Sequence, residues 1–289
     1  MPLDKGEQLM VDDIRLAELE ARARELRYQV VRMMGANKAH HFGGSLSIIE
    51  MVAALYFYKM RYDPSDPCWD GRDRFVMSKG HTVPAQYAAL ATMGVVPVAD
   101  LPTLKRLGSI FQGHPNACMT PGLEACTGSL GQGLSFANGI ALAARVRKLD
   151  IRVYCLLGDG ELQEGQVWEA AMGSSTHNLD NLCALVDRNH LKSQGVVDDA
   201  KQLEPLVDKW RAFGWHTVSV DGHDLRQLCA ALDEAEAVKG KPTVIIGDTV
   251  KGKGVPFMEG QFQFHNAPIT QEQWEEAMRL LAPEQEVTR

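Results

Sequence analysis

Closely spaced cysteines are missing from this sequence. Its 289 residues contain six cysteines without a Cys-x-x-Cys pair, at Cys68, Cys118, Cys126, Cys155, Cys183 and Cys229. Disulfide frameworks and structural zinc sites both draw on clustered cysteines. We therefore expect reduced, mostly buried thiols and a cytoplasmic location.

Long apolar runs and an excess of positive charge are also missing. No stretch is apolar over the roughly 20 residues that a membrane-spanning helix needs, and we expect no secretory leader. The formal net charge is −7, whereas nucleic acids and anionic membranes select basic surfaces. We therefore expect neither a nucleic acid nor a membrane as partner, although a local basic pocket for a phosphate is compatible with this charge.

Apolar residues are plentiful, at 45% of the chain, and they follow an alternating pattern. Short buried-type strands are predicted at residues 74–77, 152–157, 181–186, 215–220 and 243–250. Helical periodicity is found at 16–34, 48–58, 135–147, 166–177, 206–213 and 225–238. This order predicts an α/β fold, a mostly parallel sheet with helices on both faces.

The sequence shows no internal repeat and no clear linker. We expect a polar N-terminal extension at residues 1–15 and one domain at residues 16–289. That domain should end in a polar tail after Gly260, which begins with apolar anchors. A glycine-rich turn is predicted at Gly43-Gly44-Ser45.

Two loops at the ends of predicted strands carry residues suited to a metal and a phosphate. Gly158-Asp159-Gly160 ends one strand, and Asn189 follows the next strand 30 positions after Asp159. A lone Gly-Asp-Gly is more often a tight turn. In adjacent parallel strands, however, Asp159 and Asn189 would lie side by side where ligands of such sheets bind. A carboxylate, an amide oxygen, one backbone carbonyl and two diphosphate oxygens would nearly fill an octahedron around Mg²⁺ or Ca²⁺.

This pair of loops resembles the thiamine diphosphate motif, and further segments resemble the N-terminal region of transketolases in that family's order. The segments are Ser78-Lys79-Gly80-His81, Gln112-Gly113-His114-Pro115, residues 127–135, residues 158–171, Asp221-Gly222-His223-Asp224 and Lys251-Gly252-Lys253-Gly254. The resemblance covers roughly residues 16–268. It implies the thiamine diphosphate-binding fold and the N-terminal subunit of a split transketolase.

The resemblance also implies an activity and a set of partners. Transketolases transfer a two-carbon ketol unit from a ketose phosphate to an aldose, using thiamine diphosphate and Mg²⁺, which Ca²⁺ or Mn²⁺ can replace. The half that binds the cofactor's aminopyrimidine and supplies its activating glutamate has no counterpart in these segments. We therefore expect the partner to be a C-terminal transketolase subunit, with two copies of each chain, and the substrates to be sugar phosphates.

Site residues are assigned by the same resemblance. The catalytic residues are His41, His81, His114, His265 and Glu164. The cofactor-binding residues are His81, Gly128, Leu130, Asp159, Gly160, Glu164, Asn189, Lys251 and His265. The metal ligands are Asp159, Asn189 and the backbone carbonyl of Leu191. Other histidines, including His223, are expected to be satisfied core or surface residues.

The chain departs from the family at two positions near the first of these histidines. His40 stands where glycine is usual, and Phe42 where proline or a small residue is common. His41 keeps register with the glycines that follow, so we assign the catalytic role to it rather than to His40. Two alternatives remain, the α subunit of a ketoacid dehydrogenase and a non-catalytic cofactor-binding relative.

Overall fold

The computed structural model describes residues 11–36 and 40–282. Its strands are β1 Arg74–Met77, β2 Val153–Gly158, β3 Leu182–Arg188, β4 Leu191–Lys192, β5 Gly195–Val196, β6 His216–Asp221 and β7 Thr243–Asp248. Five of them form one parallel sheet in the order β1–β2–β3–β7–β6. β4 and β5 form a small antiparallel hairpin. The predicted α/β fold with a mostly parallel sheet is confirmed.

Helices cover both faces of this sheet. They are α1 Asp13–Gly35, α2 Phe42–Leu46, α3 Ile49–Ala54, α4 Val83–Thr92, α5 Gly133–Val146, α6 Gly165–Thr176, α7 Leu206–Ala212, α8 Leu225–Ala237 and α9 Gln271–Leu281. Side chains of a strand point alternately to its two faces. Tyr154 and Leu156 of β2 join the core formed with α1, α3, α4 and α8, whereas Cys155 and Leu157 pack with α5, α6 and α7.

The N-terminal helix begins earlier than predicted. Asp12 caps α1, because its Oδ1 accepts the backbone N–H of Arg15 at 2.7 Å, and such caps favour a helix start. Residues 13–15, which we had placed in a polar extension, are therefore helical. Residues 1–10 lie outside the described residues.

The segment after Gly260 is more ordered than a polar tail. Thr270 and Gln273 form a capping box at the start of α9. Trp274 of this helix donates through Nε1 to the carbonyl of Val31 at 3.2 Å. The helix thus packs on α1, and only residues 283–289 lie outside the described part of the tail.

Two smaller expectations are also corrected. The glycine-rich segment at residues 43–45 lies inside the short helix α2 rather than in a turn. Three of the six free cysteines, Cys68, Cys118 and Cys126, are exposed because they lie in irregular segments outside the sheet. Over the described residues, we find no helix with the length and apolar character to cross a membrane.

Candidate functional site

The carboxyl edge of the sheet brings the two predicted loops together. β2 and β3 are parallel neighbours, and their register pairs Gly158 with Asp187. Asp159 is buried directly beyond that pair. Its Oδ1 accepts the N–H of Gly160 at 2.7 Å, and its Oδ2 accepts the N–H of His190 at 2.5 Å. The predicted proximity of Asp159 to the Asn189 loop is confirmed.

Two further oxygens of this edge accept hydrogen bonds from the side-chain ammonium of Lys251. The Nζ of Lys251 donates to the carbonyl oxygen of Leu191 at 2.8 Å and to Oδ1 of Asn189 at 3.4 Å. An ammonium seated on these oxygens shows that they converge on one point. Together with the Asp159 carboxylate they form a set of hard oxygen donors, which fits Mg²⁺ or Ca²⁺.

The protein supplies only part of a full coordination sphere. Among residues 11–36 and 40–282, no three His, Cys, Asp or Glu side chains cluster around a point that could hold a metal ion. The remaining ligands of an octahedral ion would have to come from a bound diphosphate or from water, as is usual for Mg²⁺.

Asp187 fixes the orientation of the Asn189 amide. The Nδ2 of Asn189 donates to Oδ2 of Asp187 at 2.7 Å, and Oδ1 accepts from the N–H of Leu191 at 3.1 Å and from Nζ of Lys251 at 3.4 Å. The fully buried Asp187 also accepts from Lys79 at 2.5 Å, from Ser47 at 2.7 Å and from Thr249. Burial opposes its charge, but the Lys79 ammonium and these hydrogen bonds outweigh burial and lower its pKa. The sequence analysis missed Asp187, although its position two residues before Asn189 was a usable signal.

Two charges at this edge are poorly stabilised by the protein alone. Burial, reinforced by the nearby Asp187, raises the pKa of Asp159 to about 6. Burial lowers the pKa of Lys251 to about 8. Each shift means that the surroundings disfavour the charged form of the group, the carboxylate of Asp159 and the ammonium of Lys251. A divalent cation with a bound anion would compensate both groups at once.

The cavity at this edge is small, and glycines form part of its lining. It measures about 180 Å³ and its lining includes Lys79, Asp159, Asn189, Lys251 and Gly160. A Cβ at Gly160 would lie 3.4 Å from Cβ of Lys192, which leaves little spare room. Two lysines and closely approaching backbone suit a diphosphate. Pockets for whole small ligands usually measure about 300 Å³ or more, so this cavity matches only part of such a ligand.

Three of the predicted catalytic histidines form a cluster beside the cavity. The ring centroids are 4.9 Å apart for His41 and His81, 5.2 Å for His81 and His265, and 5.6 Å for His41 and His265. His41 adopts a left-handed backbone conformation, with φ 75°, just before α2. That conformation is uncommon outside glycine and often marks functional positions.

These histidines are held in the neutral form. Burial lowers the pKa of His41 to about 4 and that of His265 to about 3, and nearby lysines add to both shifts. Burial also places the pKa of His81 well below its ordinary value. Neutral imidazoles near pH 7 can accept a proton or relay one between hydroxyl groups.

His114 lies at the open side of the cluster and is exposed. Its ring packs on Gly128, where a Cβ would lie 2.8 Å from Cδ2 of His114 and φ is 149°. Lys105, which the sequence analysis missed, lies close enough to lower the pKa of both His41 and His114. No ion pair of Lys105 is found over the described residues, so its charge is available at this rim.

Glu164 and Leu130 face outward beside the cavity. Glu164 is exposed at the N-cap of α6, and Leu130, which lines the cavity, is 36% exposed. Glu161, by contrast, is buried and accepts from Ser78 at 2.5 Å and from the N–H of Gly131 at 2.9 Å. Glu161 therefore shapes the loop, whereas Glu164 stays accessible to a second polypeptide.

His40 lies at the edge of the histidine cluster, with its ring centroid 6.4 Å from that of His41. Its Nδ1 lies 3.0 Å from the carbonyl oxygen of Asn266, next to His265. Phe42 is fully buried in the core instead of lining the cavity. The two departures from the family pattern thus support the surrounding loops and leave the position of His41 intact.

The lowered histidine pKa values predict a pH-dependent stability. The unfolded chain takes up protons near pH 6.5, whereas His41 and His265 in the folded chain resist protonation until about pH 4 and about pH 3. Acidification from pH 6.5 therefore favours unfolding. We expect the free energy of unfolding, measured with urea, to fall between pH 7 and pH 5.

His265→Asn should weaken this pH dependence, because it removes one of the histidines whose pKa is lowered in the folded chain. The exposed His177 provides a matched control. His177→Asn should leave the pH dependence unchanged. Equal slopes for the His265 variant and the wild-type chain would contradict the assignment.

Comparison with known proteins finds similarity to proteins that bind thiamine diphosphate. Residues 20–286 match the family model described as the transketolase thiamine diphosphate binding domain. The 6-deoxy-6-sulfo-D-fructose transketolase subunit of Clostridium sp. strain MSTE9 is 45% identical over 92% of this chain and 97% of its own length. An apulose-4-phosphate transketolase subunit of Phocaeicola vulgatus is 42% identical over 90% of this chain and 92% of its own length.

Solved structures agree with the fold. The transketolase of Campylobacter jejuni superposes on 91% of this chain with a TM-score of 0.85 and 32% identity. A transketolase mutant of Pichia stipitis superposes on 94% with a TM-score of 0.87 and 32% identity. The chain spans only 42% and 43% of those two proteins.

Proposed function

The chain belongs to the transketolase family, and on this basis we propose that it is the thiamine diphosphate-binding subunit of a split transketolase. The observation that carries the proposal is the convergence of a hard-oxygen cation site, two lysines and three neutral histidines on one cavity. Bound thiamine diphosphate would supply the carbanion that attacks the ketose carbonyl and carries the two-carbon unit.

Each end of the cavity would then have its own task. Asp159, Asn189 and the Leu191 carbonyl would hold Mg²⁺, and Lys251 would turn from these oxygens to the cofactor's phosphates. Gly128 and Leu130 would contact the aminopyrimidine ring. This division agrees with a cavity whose cationic, glycine-lined end is closed and whose Leu130 side is exposed.

The histidines would handle protons and hydroxyl groups. His41 and His265 would accept the proton of the donor hydroxyl through their neutral ring nitrogens when the donor bond breaks. His81 would lie nearest the cofactor, and His114 at the open rim would bind the donor's terminal hydroxyl. The separations of 4.9–5.6 Å between the three clustered rings allow one substrate hydroxyl to reach two of them.

We further propose anionic sugars as substrates. The names of two similar relatives specify a sulfonated and a phosphorylated ketose. Lys105 adds a positive charge beside His114 at the rim. We propose Mg²⁺ as the resident metal, two copies each of this chain and its partner, and a cytoplasmic location, in keeping with six free thiols.

Neither alternative function gains support. The family model and the similar relatives are transketolases rather than ketoacid dehydrogenases. The case for a non-catalytic relative rested on His40 and Phe42. Phe42 is buried in the core, and His40 contacts the carbonyl oxygen of Asn266 at the edge of the histidine cluster.

Variants of the histidines test the proposal. His81→Ala and His114→Ala should each lower the turnover of the assembled enzyme by about 10²-fold or more, the scale of a lost acid–base or positioning group. Turnover is measured with a ketose phosphate donor and an aldose acceptor, and gel filtration checks that the assembly persists.

His40→Gly is the matched control for these variants. It removes an imidazole at the edge of the cluster, 6.4 Å from the His41 ring, and forfeits one hydrogen bond, worth about 1 kcal/mol of stability. It should be tolerated and broaden substrate use. Inactivation by His40→Gly together with full activity of His41→Ala would show that the catalytic histidine had been assigned to the wrong position.

A further inference from the structure

The motif Asp221-Gly222-His223-Asp224 follows β6 and has no part in the proposed chemistry. The His223 side chain is only 12% exposed. Its Nδ1 lies 2.9 Å from Oε2 of Glu50, and its Nε2 lies 2.8 Å from the backbone nitrogen of Val250. Since the Val250 N–H can only donate, Nε2 accepts, and Nδ1 carries the proton that is donated to Glu50.

Glu50 extends this connection to Lys253, which lies in the same loop as Val250, three residues later. Its Oε1 accepts from Nη2 of Arg27 at 2.6 Å, and Nε of Arg27 donates to the carbonyl of Lys253 at 2.9 Å. The side chains of Arg27 and Glu50 are 8% and 10% exposed. Three nearly buried side chains therefore link the backbone at Val250 to the backbone at Lys253.

The loop held in this way carries Lys251, and we call residues 250–253 the lysine strap. Lys251 donates to the carbonyl of Leu191, a proposed metal ligand, at 2.8 Å. The N–H of Gly252 donates to the carbonyl of Gly43 at 2.9 Å. The strap is thus fixed by α2 at its centre and by the side-chain relay at both ends.

Close packing shows that the relay and the strap fit each other tightly. Gly254, directly after the strap, has φ 90°, and a Cβ there would lie 2.4 Å from Cδ of Arg27. A Cβ at Gly252 would lie 2.4 Å from the carbonyl oxygen of Met258. Both glycines are required by close approach and by their positive φ, so a side chain at either position would displace the strap.

We propose that His223 is a positioning residue: by accepting the N–H of Val250 it holds the lysine strap toward the cofactor site, while Glu50 and Arg27 hold the other end of the strap at Lys253. The expected effect is tighter binding of thiamine diphosphate, and in this respect the inference rests on the proposed function. Groups that orient the direct ligands of a metal site typically change affinity by 10- to 100-fold when they are removed.

Two substitutions of His223 distinguish an effect on the position of the lysine strap from a general loss of stability. Glutamine at residue 223 can place Oε1 near the position of Nε2 and keep an acceptor for the Val250 N–H. Asparagine reaches only the position of Nδ1, so it can still donate to Glu50 but leaves Val250 without an acceptor. His223→Gln should therefore preserve the strap, and His223→Asn should release it.

His216→Asn is the matched control. His216 also pairs with a glutamate, with Nε2 2.6 Å from Oε1 of Glu234. It begins β6, at the end of the sheet opposite to the cavity. This variant loses a comparable histidine–carboxylate contact without touching the lysine strap.

Hydrogen–deuterium exchange and cofactor titration of the full chain decide the inference. In the cofactor-free chain, the amides of residues 249–254 should exchange at least about 10-fold faster in His223→Asn than in wild type, His223→Gln or His216→Asn. With thiamine diphosphate and excess Mg²⁺, the apparent Kd of His223→Asn should rise about 10-fold or more. That of His223→Gln should stay within about threefold.

Unchanged exchange in His223→Asn would overturn the inference. Equal weakening of cofactor binding by the asparagine and glutamine variants, in proportion to their melting temperatures, would also overturn it. A wild-type chain that binds no thiamine diphosphate, either alone or after addition of the pyrimidine-binding half, would refute the proposed function instead. The exchange comparison would still show whether His223 holds the strap.

Discussion

The purified chain is expected to show no ketol transfer on its own and to become active when the pyrimidine-binding half is added. Thiamine diphosphate reacts only when a glutamate activates its aminopyrimidine. Glu164 is exposed at the N-cap of α6, where it can face such a glutamate but cannot replace it. Under the proposed function, we therefore expect the cofactor to lie between two chains.

Exposed apolar side chains on α5 and α6 indicate where the second chain binds. Phe136 on α5 is 47% exposed and Met172 on α6 is 51% exposed, although these helices pack on each other. Large exposed apolar side chains near a functional site often mark an interface. Leu134 and Ala137, by contrast, fill the domain's own core, so only one face of α5 is available for the partner.

The test compares the chain alone with the chain after addition of its partner, using several ketose phosphates as donors. Phe136→Asp should abolish the activation without a large change in melting temperature. Val146→Asp, on the same helix at a residue that is 83% exposed, is the matched control and should leave activation intact. Full activity from the single chain would refute the split-enzyme proposal.

Sequence patterns predicted the sheet better than they predicted the ends of the chain. β2 and β3 were predictable as strands because both of their faces are buried, which makes them nearly continuous apolar runs. α9 was missed because its stability comes from a capping box and from the Trp274 contact with α1. A contact between residues more than 240 positions apart leaves no local pattern.

The same limit applies to the site. Asp159 and Asn189 were predictable, because each follows a strand and parallel neighbours share an edge. Asp187 and the relay through His223 were missed, since their importance depends on partners from three distant segments, around residues 47–50, 79 and 249. The role of Lys105 was missed as well, because nothing in the sequence shows that its charge lies beside His41 and His114.

Loss of cofactor binding in Asp159→Ala is the second large effect we expect. The substitution removes the only carboxylate among the three proposed metal oxygens, and with it the charge that attracts a divalent cation. Calorimetric titration with thiamine diphosphate and Mg²⁺ should give no measurable heat of binding for the variant. The wild-type chain should bind only while Mg²⁺ is present and should lose the cofactor when the metal is chelated.

The fold of this variant should survive, because the losses and gains in stability nearly offset. Asp159→Ala forfeits hydrogen bonds from Gly160 and His190, each worth about 1 kcal/mol. It also removes a buried charge, and the pKa of about 6 shows that this charge is destabilised by burial and by Asp187. A carboxyl group whose folded pKa is raised destabilises the fold once it ionises, so its removal is favourable above about pH 6.

Asp248→Asn serves as the control for this prediction. Asp248 ends β7, the strand next to β3, and its carboxylate is 64% exposed and lies 2.7 Å from Nε2 of His190. The substitution removes a carboxylate at the same edge of the sheet but outside the oxygen set, so affinity for the cofactor should stay within about threefold of wild type. Unchanged affinity in Asp159→Ala, or equal losses in both variants, would show that the metal is bound elsewhere. A lowered melting temperature with retained binding would make Asp159 a structural residue of its loop.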